Sequence, residues 1–345
     1  MKRDKRAGED LLKDPKPFPE GPPGGKGRAS FRKRQNISLK TLVGPSGMCY
    51  NKINIFSHSA FEGARGAEME RYAVLGHRIG HSMSPFLHGR LFELAGRKAE
   101  YQKLDWPAEE IGRRIGELFA LDGFNVTMPH KVEIIPYLDE LDASAAKYQS
   151  VNVVRCGAKK VGFNTDAYGF LKSLEMLGAK TDGRTLLLGL GGVGRTFARE
   201  CLDAGADLTV TVLPGDRQAE AAAGELRARS GRDFCLTTLD RAEGHFDLMI
   251  NATPVGMFPK TGQSPAGEEL IARTDRVFDA VYNPEHTLLS RLCEQAGKPC
   301  LTGMPMLVFQ AVKAHEIWYG AEFSPEQIRT VIRDCNEFMG AHFSA

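Results

Sequence analysis

The sequence predicts an α/β protein in two parts: an N-terminal α/β domain, a doubly wound second domain, and C-terminal helices that return to the first. Three observations carry that prediction. From Arg71 onward, short apolar runs alternate with segments of helical spacing, the pattern of a sheet covered by helices. A glycine turn, Gly189-x-Gly-x-x-Gly194, lies between an apolar run and a helical one. The tail from Met306 to Phe343 is helical in spacing, divided by Gly320 and Pro325.

Taken in order, Tyr72–Leu75 is an apolar run ending in Gly76 and reads as a strand. Ser84-Pro85 opens a helix running to about Ala95, with Ser84 as N-cap and proline in the first turn. Glu100–Leu104 is a second strand. Ala108–Leu121 is a helix, because Ile111, Ile115, Leu118 and Phe119 fall on one face. Phe124–Thr127 is a strand leading to Pro129, and Val132–Leu138 resumes as helix. Ser150–Arg155 and Lys160–Phe163 form an antiparallel pair around Gly157. Ala167–Leu177 is helical.

The strand Thr185–Gly189 then feeds the glycine turn, Thr196–Ala204 is the following helix, and Leu208–Leu213 the next strand. In that setting the turn reads as a dinucleotide site. Glycines let the backbone turn tightly and come close to a pyrophosphate, which rests on the amides at the helix N-terminus. Strands Phe246–Asn251 and Arg276–Val281 end in polar loops, Asn251–Met257 and Tyr282–Pro284, both facing the crevice at the carboxyl ends of the strands. Helix Leu288–Gln295 and a last strand to about Leu301 finish this Rossmann-like part.

Composition narrows the function classes. A chain of 345 residues with 42% hydrophobic and 26% charged residues is globular and long enough for two domains. A formal net charge of +2 gives no reason to expect nucleic acid. No run approaches the ~20 apolar residues of a membrane span. The seven cysteines are scattered and contain no Cys-x-x-Cys pair, so neither a disulfide framework nor a metal site is expected, and a cytoplasmic location is. Residues 1–68 read as an extension without period, disordered over 1–36, or as translated sequence upstream of a start at Met69. Glu9, Asp10, Asp14 and Glu20 argue against a transit peptide. The expected boundaries are 71–166 for a substrate-binding catalytic domain, completed by 304–345, and 167–303 for the nucleotide domain.

Chemistry concentrates in Asn125-Val-Thr-Met-Pro-His-Lys131 and Asn164-Thr-Asp166. An amine and a carboxylate among hydroxyls and amides suit proton handling at an alcohol or ketone, and the nucleotide turn supplies a hydride carrier. His130 reads as a loop residue, and His88 as a group that packs or caps.

These segments resemble the shikimate dehydrogenase family over residues 71 to 343. The matching stretches are Ser82-x-Ser84-Pro-x-x-His88, Asn125-Val-Thr-x-Pro-x-Lys131, Val151-Asn152, Gly162-x-Asn-Thr-Asp166, Asn251-Ala-Thr-Pro-x-Gly-Met257, Asp279-x-x-Tyr-x-Pro284 and Met306-Leu-Val-x-Gln310. The resemblance implies NAD(P)H-dependent, reversible reduction of 3-dehydroshikimate to shikimate in the chorismate pathway to aromatic amino acids. It implies Lys131 and Asp166 as catalytic residues. It assigns Ser82, Ser84 and Tyr282 to the substrate carboxylate, and Thr127, Asn152 and Gln310 to ring hydroxyls. The nucleotide falls to Gly189, Gly191, Gly192, Gly194, Arg195, Arg217, Asn251, Thr253 and Gly303. The expected partner is the small substrate alone, on a monomer or homodimer.

The departures concern the nucleotide. Family members that use NADP usually follow the second nucleotide-domain strand with Asn-Arg-Thr, whereas Val212-Leu-Pro-Gly-Asp-Arg217 stands here. Arg217 or Arg195 would then hold a 2′-phosphate, giving NADP, while Asp216 accepting from a ribose hydroxyl would give NAD. Val153, Ala167 and Pro305 also depart from the commoner residues. An NAD-dependent quinate/shikimate dehydrogenase and a non-catalytic shikimate-binding regulator are the alternatives.

Overall fold

The computed structural model describes residues 69–343, so the expectations for residues 1–68 lie outside the described residues. The described residues form two six-stranded sheets. The α/β class and the doubly wound second part are as the sequence predicts.

The first sheet opens with β1 (Glu70–Gly76), α1 (Ser84–Leu94), β2 (Ala99–Asp105), α2 (Ala108–Phe119) and β3 (Gly123–Val126). β4 (Glu140–Leu141), α3 (Ala143–Tyr148), β5 (Val153–Cys156) and β6 (Lys160–Phe163) complete it, in the order β2-β1-β3-β5-β6-β4. β1 pairs in parallel with both β2 and β3, and the β5–β6 pair is antiparallel. Central β1 and β3 are buried along nearly their whole length, which explains their continuous apolar character.

Two sequence expectations fail here. Ser84 is the first helical residue and caps nothing; Met83 is the N-cap, and the Ser84 hydroxyl accepts from that of Ser82 at 3.1 Å. Val132–Leu138 is a run of turns with one 3-10 turn at Ile135–Tyr137. Pro136 has no N–H with which to continue an α-helix. His130 is also more than a loop residue. It is fully buried, with Nε2 2.8 Å from the Trp106 carbonyl oxygen and Nδ1 2.8 Å from Glu133, and it pins the turn that carries Lys131.

α4 (Asp166–Leu177) leads into the second sheet, through β7 (Arg184–Leu188), α5 (Gly192–Ala204), β8 (Asp207–Thr211), α6 (Arg217–Ser230) and β9 (Cys235–Thr237). Then follow β10 (Phe246–Asn251), α7 (Glu268–Ala272), β11 (Thr274–Asp279), α8 (Leu288–Gln295) and β12 (Cys300–Thr302). The order is β12-β11-β10-β7-β8-β9, and every pairing is parallel. The order reverses between β7 and β10, so a crevice opens at their carboxyl ends. One face packs Phe170, Phe197 and Phe278 with α4, α5 and α6, and the other packs Phe246, Ile271 and Leu289 with α7 and α8.

α9 (Met304–Tyr319) and α10 (Pro325–His342) close the chain. Ser324 and Gln327 form a capping box at the start of α10. Leu87, Leu91, Val308, Ala311, Val331 and Cys335 place both helices against α1, so the tail does return to the first sheet. Among the described residues no helix is long and apolar enough to cross a membrane.

Candidate active site

The turn after β3 carries Lys131, and the first turn of α4 carries Asp166. Their side chains meet: Lys131 Nζ donates to Asp166 Oδ2 at 2.6 Å, with 27% and 13% of the two side chains exposed. Asp166 stands at a helix N-terminus, where the peptide dipoles favour a carboxylate. Asn152, just ahead of β5, donates from Nδ2 to Asp166 Oδ1 at 2.8 Å, while its Oδ1 accepts from the Thr165 amide at 2.8 Å. Both carboxylate oxygens are therefore committed, one to an amide and one to the ammonium. Asn164 completes the bend by accepting from the Asp166 amide at 3.1 Å.

A cavity of about 210 Å³ surrounds this pair. Of the residues predicted for the substrate, Ser84, Thr127, Asn152, Tyr282 and Gln310 line it together with Lys131 and Asp166; Ser82 does not, and reaches the site through Ser84. Gln310 ties its amide nitrogen to the Leu307 carbonyl at 2.8 Å, which leaves its amide oxygen as the acceptor on offer. Burial pushes the Tyr282 phenol above its ordinary range, so it stays a neutral donor.

Several lining residues have no site role in the sequence analysis. Met306 and Leu307 form an apolar wall, and their signal was available, since they stand one turn before Gln310 on α9. Asn125 also lines the cavity, held on both sides: Tyr101 Oη donates to its Oδ1 at 2.7 Å, and its Nδ2 donates to the Asn152 carbonyl at 3.2 Å. Behind it, His88 is buried, stacked on Tyr101 at 4.3 Å, with Nδ1 2.9 Å from His315 Nε2. Burial pulls His88 down to about 3, so it packs as a neutral ring.

The glycine turn meets the same cavity, because Val193 is part of its wall. Gly189 has φ 89°, a conformation that residues with a side chain rarely adopt. A Cβ on Gly194 would stand 2.5 Å from the Gly189 carbonyl oxygen, so helix and strand approach too closely for any side chain. Gly191 and Gly192 face open space within 4 Å. With no side-chain cap at the head of α5, its first amides are open to an anion, and the turn fits a dinucleotide pyrophosphate. Gly303 lines the cavity where α9 begins.

Other nucleotide expectations change. Asn251 is fully buried; its Nδ2 donates to Asp279 Oδ1 at 2.8 Å, and its Oδ1 accepts from the Thr253 amide at 3.0 Å and hydroxyl at 2.7 Å. It shapes the loop, its carbonyl oxygen held by Thr253 and one amide hydrogen by Asp279. Thr253, on the crevice loop, packs its methyl close over Gly189. Asp279, given no role of its own in the sequence, also accepts from the Thr287 hydroxyl at 2.7 Å; burial raises its carboxyl, opposed by these bonds.

Asp216 caps α6, its Oδ1 accepting from the Ala219 amide at 3.0 Å, so only its Oδ2 is left for a ribose hydroxyl. Arg217 begins α6, exposed and unpaired among the described residues. Arg195 faces α6 instead, with Nη1 3.5 Å from Glu225. Leu213, at the end of the β8 turn, is 77% exposed.

An open glycine turn abutting a cleft that holds a lysine–aspartate pair among amides and hydroxyls defines a nicotinamide-dependent oxidoreductase of small polar substrates. Comparison with known proteins sharpens the class. Residues 74–154 match the family model of the shikimate dehydrogenase substrate binding domain. The NADP(+) shikimate dehydrogenase of Shouchella clausii is 35% identical over 272 residues, covering 76% of this chain and 98% of that one. The shikimate dehydrogenase of Thermus thermophilus, crystallised with NADP(H) and shikimate, is 32% identical with a TM-score of 0.68, covering 77% of this chain and 100% of that one. A further shikimate dehydrogenase solved with NADP+ is 31% identical with a TM-score of 0.72, covering 78% and 96%. The chain belongs to the shikimate dehydrogenase family.

Proposed function

We propose that this protein catalyses the reversible reduction of 3-dehydroshikimate to shikimate with NADPH, in the chorismate pathway to aromatic amino acids. The observation that carries the reading is the 2.6 Å contact of Lys131 and Asp166 inside a cavity whose wall includes Val193 of the glycine turn. Proton and hydride positions are thereby brought to one place. The bound nicotinamide supplies the hydride.

During reduction, negative charge grows on the carbonyl oxygen. The Lys131 ammonium stands beside it, stabilises that charge and delivers a proton to the oxygen. Asp166 orients the ammonium and is itself fixed by Asn152. In the oxidative direction Lys131 takes the proton back. Thr127 and the Gln310 amide oxygen serve ring hydroxyls, and Asn152 acts through Asp166, whose Oδ1 it holds, whereas Ser84, Ser82 behind it, and Tyr282 receive the carboxylate. Met306 and Leu307 cover the ring and exclude water.

The pyrophosphate rests on Gly191, Gly192 and the head of α5. Arg217, exposed and unpaired among the described residues at the start of α6, is the cation for the 2′-phosphate, since Arg195 lies against Glu225. In this reading residues 71–166 with α9 and α10 form the substrate-binding half, residues 167–303 the nucleotide half, and the protein works in the cytoplasm. A spectrophotometric assay of shikimate and quinate, each with NADP and NAD, tests it. Turnover of shikimate with NADP is expected to dominate; no cofactor reduction in any combination overturns the reading.

A further inference from the structure

Outside the cleft, the first sheet's helix α3 is fastened to α5. Tyr148 Oη and Lys147 Nζ both donate to the Glu200 carboxylate, whose side chain is only 11% exposed. Lys147 Nζ also lies 2.9 Å from Asp203 Oδ2, and Arg199 Nε donates to Asp203 Oδ1 at 2.8 Å. From the end of α6, Arg229 Nη2 donates to the Lys147 carbonyl at 3.2 Å. Burial, and then the Glu200 charge, raise the Tyr148 phenol, which keeps it a donor.

The backbone beyond Tyr148 leads within a few residues to the reacting groups. Gln149 reverses the chain in a left-handed conformation, φ 50°. The Val151 amide then donates to the Lys131 carbonyl at 2.8 Å, and Asn152 holds Asp166. At the other end, Glu200 shares α5 with Gly192, about 12 Å along the axis at 1.5 Å per residue. One rigid helix thus bears both the phosphate cradle and the acid that grips the catalytic half.

We propose that Glu200 is a positioning residue for hydride transfer, holding Lys147 and Tyr148 on α5 so that Lys131, Asn152 and Asp166 keep a fixed distance from a nicotinamide seated through Gly192. The proposal rests on the dehydrogenase reading. An exposed ion pair would contribute little, but this carboxylate is mostly buried and receives two side-chain donors. Its removal leaves a phenol and an ammonium without their shared acceptor.

The test compares Glu200→Ala, Glu200→Gln and Tyr148→Phe with the unaltered protein, well below each melting temperature. For Glu200→Ala, kcat is expected to fall about tenfold while the KM for shikimate moves less than about twofold. In the reductive direction, with 3-dehydroshikimate and reduced cofactor deuterated at the transferred position, the isotope effect on kcat should rise, as the hydride step comes to limit turnover. Glu200→Gln, which retains an acceptor for Tyr148, should recover part of the rate. Amide exchange of the segment 149–152 should quicken in Glu200→Ala, with β7 and β10 unchanged. A Glu200→Ala protein with unaltered kcat and isotope effect overturns the proposal, whether or not its exchange or melting temperature changes. Absence of turnover in the unaltered protein sinks the dehydrogenase reading, and the exchange measurement then decides the fastening by itself: unaltered exchange in Glu200→Ala overturns it.

Discussion

Asn152 and Asp166 divide the labour of one carboxylate: the asparagine amide holds Oδ1 at 2.8 Å, so Oδ2 is presented to Lys131 in a single orientation. The ammonium is thus aimed before any substrate arrives, which is the condition for efficient proton transfer.

Lys131→Ala should lower kcat by about 10²–10⁴ while shikimate binding, measured by equilibrium titration, changes far less. The remaining hydroxyl and amide donors still hold the ring. Near-full turnover in this variant would remove Lys131 from the mechanism.

Arg217 is expected to carry the cofactor preference. A charge-assisted hydrogen bond contributes about 1.5–3 kcal/mol, so Arg217→Ala should raise the KM for NADP roughly 10- to 100-fold and leave that for NAD unchanged. Equal changes for both cofactors would assign the 2′-phosphate elsewhere.

Acid should destabilise the fold through His88. Its folded value is about 3, below the ordinary 6.5, so between those values the unfolded chain binds the proton and the folded chain does not. Stability is therefore present above 6.5 and lost as pH falls from there towards 3, by about 2 kcal/mol at pH 5 for this one group. Urea titrations of the natural protein and His88→Leu at pH 7 and pH 5 check it. The pH-dependent loss should shrink by about that amount in the variant.

Asn251→Ala should act on stability first. It leaves the buried Asp279 with one donor fewer and frees Thr253, at a cost of about 1–3 kcal/mol. The urea midpoint at pH 7 measures this, and an unchanged midpoint would contradict the buried network.

Much of this fold is written locally. Leu288–Gln295 begins and ends as its spacing predicts, and Gly320 and Pro325 bracket the break before α10. The glycine turn was legible because its residues leave little choice of backbone. α6 carries little pattern in the sequence because it is built on alanines, with Leu226 its one large buried side chain. β4 has only two residues and no pattern to read. Within the site, residue types were legible and allegiances were not. Asn251 is a plausible ligand group in sequence, yet its amide is held by Asp279, 28 residues away, a partner that only the folded chain brings near.

The cavity takes Ser84 from the first helix and Gln310 from the ninth. As the chain leaves the ribosome, the first sheet and its lysine–aspartate pair emerge early, but the wall bearing Met306, Leu307 and Gln310 arrives near the end. A nascent chain stalled before α9 has its acid–base pair and no pocket around it. Competence to bind substrate therefore reports that synthesis has passed α9, and truncation ahead of this helix should abolish binding even where both sheets have formed.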